Sequence, residues 1–139
     1  MFKKTSNILT IALAVLSAFI SVGVVYIFHG CIGMHDGGFM RCHWAQQAIM
    51  ATAGVLAVFY GVAFFVKNLS VRLGMLLSTL PVGILLILLA NNSVILLCMS
   101  PDMHCRTTMQ PVTILLSGVL IVVGIIAVIF THKARKEQK

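Results

Sequence analysis

The chain has 139 residues, of which 60 % are hydrophobic and 9 % charged, against about 45–50 % and 25 % in ordinary soluble domains. That balance excludes a soluble globule, and the net charge of +7 lacks the solvated basic face that a nucleic-acid binder displays. Nucleic acid is therefore not expected as a partner, and a single domain is expected at this length.

The first apolar run extends from Ile8 to Phe28 and follows Lys3 and Lys4. It meets the length of about 20 residues that a helix needs to cross a bilayer, and a helix pairs its own backbone groups where lipid cannot. The run exceeds the roughly 7–15-residue apolar core of a cleaved signal peptide, and no small-x-small cleavage site follows it. His29 lies two places before Cys31, a bulky residue where a lipoprotein acceptor cysteine wants a small or branched one. A retained helix is expected.

The segment after it carries Cys31, Met34, His35, Asp36, Gly37, Gly38, Met40, Cys42 and His43. Trp44 then suits an interfacial anchor, and a second run, again long enough to span, extends from Ala45 to Val66. Gln46 and Gln47 in its first turn are expected to be satisfied by loop backbone or water. Gly54 and Gly61 are small residues of the kind that let helix backbones approach.

Lys67 and Arg72 mark a short middle loop, and the third run, the longest, extends from Leu73 to Leu97. Pro81 inside it removes a backbone donor and predicts a kink. Asn91, Asn92 and Ser93 fall about one turn before its far end, where polar side chains are expected to bond between helices. A second Cys-bearing segment follows, with Cys98, Met99, Asp102, Met103, His104, Cys105 and Arg106. The fourth run, the shortest, extends from Val112 to Phe130. Gln110 and Pro111 precede it, Pro111 suiting a first helical turn. Ser117, Gly118 and Gly124 are further packing candidates. From Thr131 onward the tail is rich in Lys and Arg and suits anionic lipid heads.

Eight of the ten basic residues flank the termini and the middle loop, while only Arg41 and Arg106 lie by the other two junctions. The positive-inside rule places both termini and the middle loop in the cytoplasm. The predicted fold is therefore all-α, an integral membrane four-helix bundle with both termini inside.

Comparison of the two Cys segments indicates an internal repeat. Met40, Cys42 and Gln47 match Met103, Cys105 and Gln110 at an offset of 63, and Cys31 matches Cys98 at 67. Two tandem units of helix, Cys loop and helix are expected, about 8–66 and 73–130, related by a pseudo-twofold axis along the membrane normal. That symmetry gathers the Cys loops at one rim.

Three chemistries suit such a rim. Outside the cytoplasm, thiols oxidise to disulfides, and bridges Cys31 to Cys42 and Cys98 to Cys105 are the simplest of three possible pairings. Redox-active thiols are a second reading, since four helices with external Cys pairs share the layout of quinone-linked thiol oxidases; Cys-x-x-Cys, the usual mark of a facile dithiol, is not present. The third reading is a soft-metal site of the copper type built from Met34, His35, Met40, His43, Met99, Met103 and His104, with Met109 nearby.

The segments Met40 to Trp44 and Cys98 to Cys105 resemble motifs of the small bacterial four-span proteins grouped as domain of unknown function 4418. The resemblance covers nearly the whole chain. In that family a His often follows the last Cys, where this chain has Arg106 with His104 before the Cys; a symmetric metal site of equivalent His residues is correspondingly disfavoured. The resemblance implies a bacterial cytoplasmic membrane and an accessory role beside envelope transporters of the ABC type. The favoured reading is a non-enzymatic docking or sensing protein that needs no cofactor and has the lipid bilayer as its surroundings.

Overall fold

The computed structural model describes residues 2–28, 41–91, 94 and 105–137. Among these, all regular structure is helical: α1 (Phe2–Tyr26), α2 (Arg41–Phe65), α3 (Leu69–Ala90), a π-helical turn (Cys105–Met109) and α4 (Gln110–Glu137). Four helices are long and apolar enough to cross a membrane. Each packs on the next in sequence, and α4 closes the ring on α1.

The surface is apolar and the interior partly polar, the distribution lipid favours. Val15, Val58, Ile84 and Leu115 are exposed, while Ser6, Thr10, Ser17, Thr79, Thr113, Ser117 and Thr131 are buried. Leu13, Ile20, Ile49, Leu56, Leu86 and Leu120 fill the space between the helices. Several interior hydroxyls are satisfied within their own helix, while those of Tyr60, Thr113 and Ser117 have no hydrogen-bond partner. Ser17 donates to the Leu13 carbonyl at 2.7 Å, Thr79 to Leu76 at 2.8 Å and Thr131 to Ala127 at 2.7 Å, which spares them the cost of an unpaired group in hydrocarbon.

The helix limits differ from the apolar runs: α1 starts at Phe2 and α2 at Arg41, ahead of Ile8 and Ala45, and α3 and α4 differ as follows. Asn68 caps α3, accepting from the Ser70 N–H at 3.0 Å, so α3 begins at Leu69 and takes in Arg72. At its other end Asn91 is the C-cap, its N–H bonded to the Ile87 carbonyl at 2.8 Å, whereas the apolar run continues to Leu97. Asn91 therefore ends the helix and is exposed; Asn side chains compete for backbone groups and favour such ends. Asn92 and Ser93 lie outside the described residues. The basic tail is not a separate segment either: α4 runs through it to Glu137, with Thr131 and Ala134 buried.

The small residues divide. A Cβ on Gly83 would stand 3.1 Å from Ile121, and one on Gly124 3.2 Å from Leu80, so these glycines let α3 and α4 close on each other. Gly54 has an ordinary contact with Ser21 Oγ at 3.5 Å. Gly61 and Gly118 have nothing within 4 Å, so the packing role expected of them is corrected: they face outward.

The buried positions recur along the chain. Ser6, Thr10, Leu13, Ser17, Ile20 and Val24 on α1 correspond to Arg72, Leu76, Thr79, Gly83, Leu86 and Ala90 on α3 at a constant offset of 66. Ala45, Ile49, Ala53, Leu56, Tyr60 and Ala63 on α2 correspond to Met109, Thr113, Ser117, Leu120, Gly124 and Ala127 at a constant offset of 64. The cysteine motifs before α2 and α4 match at 63, one residue short of that register. The π turn at Cys105–Met109 takes up the difference, because a π turn holds one residue more than an α turn. By this register Gln110 answers to Gln46 and not, as the motif alignment had it, to Gln47.

Candidate functional site

At one end of the bundle stand the residues that the sequence singles out for chemistry. Cys42 and His43 lie in the first turn of α2, and Cys105 opens the π turn before α4. Cys42 is 0 % exposed, and its sulfur is engaged rather than free. His43 is half-buried and meets the Trp44 ring edge-on, the centroids 6.1 Å apart at 78°. Trp44 itself is 61 % exposed, as an interfacial anchor would be. Gln46 is buried and has an interaction partner.

Cys31, Met34, His35, Met40, Cys98, Met99, Met103 and His104 lie outside the described residues, and Cys105 is described by its backbone. Met109, grouped with the soft donors by proximity in sequence, is corrected: it is fully buried in the hydrophobic core. Among the described residues no cluster of three or more His, Cys, Asp or Glu side chains forms.

The opposite end holds a polar cluster that hydropathy and charge do not foretell. Arg72, expected in a loop as a marker of topology, is 2 % exposed. Its Nη2 donates to the Ser6 carbonyl at 3.0 Å and to Thr10 Oγ1, and its Nη1 donates to Asn7 Oδ1. Thr10 Oγ1 itself donates to the Ser6 carbonyl at 2.8 Å, which leaves its lone pairs for the guanidinium. Across the bundle, Ser6 Oγ and Thr131 Oγ1 lie 2.7 Å apart. The Thr131 hydroxyl hydrogen is committed to Ala127, so Ser6 is the donor. Hydrogen bonds thus run from α3 through α1 to α4.

Arg72 Nε has no hydrogen-bond partner, and no carboxylate pairs with the guanidinium among the described residues. The chain contains only three acidic residues. A planar five-donor fork suits this setting better than an ammonium, since neutral oxygens on one helix face can satisfy several of its N–H groups together. Two signals in the sequence point to this cluster. Asn68 is a helix-start residue ahead of Arg72, and Ser6 and Thr10 share one helical face at i and i+4, with Asn7 at its edge.

No curated protein and no solved structure matches the chain. The family model for a domain of unknown function, DUF4418, matches residues 13–130, a stretch that runs from the middle of α1 to the last apolar turn of α4. The chain belongs to the DUF4418 family.

Proposed function

We propose that the chain is a duplicated two-helix membrane scaffold in a bacterial cytoplasmic membrane, with both termini in the cytoplasm. Its two outer loops are closed by Cys31–Cys42 and Cys98–Cys105 disulfides and present a docking or sensing surface to an envelope partner, such as a transporter of the ABC type.

The observation that carries this reading is the complete burial and engagement of Cys42 in the first turn of α2. A catalytic thiol has to be reached by its partner and sits in a partly exposed, electropositive setting, whereas a buried structural cysteine is inert. The recurrence of buried positions at offsets of 66 and 64 supports duplication, since two copies of one unit would bury equivalent faces. A disulfide across each loop would tie a helix end to the next helix start and contribute about 2–4 kcal/mol.

A photo-crosslinking residue in place of Trp44, in intact cells, tests the docking role. A discrete protein adduct that disappears in Cys42→Ser is the expected result. Adducts to lipid alone, or protein adducts indifferent to Cys42→Ser, would overturn it.

A further inference from the structure

A groove of about 460 Å³ opens between α3 and α4 near the Arg72 end, lined by Leu73, Leu77, Val128, Ile129, His132, Lys133 and Lys136. Its volume lies within the range of ordinary ligand pockets, about 300–1,000 Å³. The lining is graded along the helix axis. Leu77, Val128 and Ile129 form an apolar floor, and His132, Lys133 and Lys136 lie further along α4 towards its C-terminus. From Val128 to Lys136 the helix rises about 12 Å at 1.5 Å per residue.

We propose that this groove binds one anionic phospholipid, its phosphate between Lys133 and Lys136 and an acyl chain along Leu77 and Val128. The charge pattern selects this occupant. A zwitterionic lipid offers the same chain but no net charge, while the groove rim carries Lys133 and Lys136. The one acid nearby, Glu137, stands one turn after Lys133 on α4 and is not part of the lining. A free anion would use the rim alone and leave the floor empty, whereas floor and rim together match an amphiphile whose head lies at the interface. The site rests on the membrane-spanning character of the helices and is independent of the state of the cysteines.

Native mass spectrometry of the full chain in mild detergent tests it, with phosphatidylglycerol and phosphatidylcholine of identical acyl chains as probes. One phosphatidylglycerol is expected to be retained in preference to phosphatidylcholine. Each of Lys133→Gln and Lys136→Gln should weaken retention about fivefold. Leu77→Trp, which fills the floor at a half-exposed position, should weaken both lipids without changing charge. Lys3→Gln with Lys4→Gln, on another helix, should leave retention unchanged. Equal retention of the two lipids, an equal loss in the Lys3 and Lys4 variant, or full displacement by inorganic phosphate would each overturn the proposal.

Discussion

Arg72 on α3 donates to the Ser6 carbonyl of α1 at 3.0 Å, from a position that is 2 % exposed. A cation in the interior of a membrane bundle is costly unless its donors are met, and here neutral oxygens on one face of α1 meet most of them. Thr10→Val should therefore strand a guanidinium N–H and lower stability by about 1.5–3 kcal/mol. Arg72→Lys should cost at least as much, because an ammonium cannot span Ser6, Asn7 and Thr10 as a planar fork does. Reversible unfolding in mixed micelles, followed by circular dichroism, measures both; an unchanged midpoint in either variant would remove the network as a source of stability.

The Ser6 to Thr131 bond at 2.7 Å links α1 to α4 and lends itself to a double-mutant cycle. Ser6→Ala, Thr131→Val and the pair together should show a coupling of about 0.6 kcal/mol, the size found for interhelical hydrogen bonds in membranes. Additive effects would mean that the two hydroxyls do not support each other.

Glycine position decides the sign of an alanine substitution. Gly83→Ala and Gly124→Ala introduce a Cβ 3.1 Å and 3.2 Å from side chains of the facing helix, and should each cost about 1 kcal/mol or more through overpacking. Gly61→Ala and Gly118→Ala meet nothing within 4 Å and should be neutral or gain up to about 1 kcal/mol from helix propensity. Thermal melts of the four variants give the ordering; equal effects at all four would contradict the division into packed and outward-facing glycines.

The four membrane-crossing helices were legible because charge is confined to the spaces between long apolar runs, and that pattern survives any tertiary detail. Arg72 was not, because charge in the sequence marks where the bilayer ends but not which way a side chain turns, and Arg72 turns inward onto the hydroxyls of α1. The end of α3 was missed for a related reason. Val94 to Leu97 are as apolar as the helix before them, yet Asn91 takes the C-cap, so hydropathy overran a boundary that capping chemistry defines. The motif alignment at 63 was one residue off the burial register of α2 and α4, because a π turn lies between the cysteine motif and the helix. Of the candidate rim, Cys42 and His43 are placed with their side chains, and the soft-donor loops lie outside the described residues.

That π turn yields its own prediction. Deleting Thr108 within Cys105–Met109 should let the turn relax to an α turn and leave α4 in register, with the fold retained. Deleting Val119, in the regular part of α4, should rotate everything beyond it by about 100° and expose Leu120, Ala127 and Thr131. Helicity and monodispersity in detergent distinguish the outcomes; equal damage from both deletions would remove the π turn as the point where the register is adjusted.

The proposed scaffold requires that a disulfide within each repeat closes each outer loop. The most direct measurement is alkylation of intact membranes with and without reductant, followed by mass mapping of the cysteine peptides. We expect no labelled cysteine before reduction, four after it, and linked peptides joining Cys31 to Cys42 and Cys98 to Cys105. Four labelled thiols without reductant, or peptides joining one loop to the other, would contradict the claim.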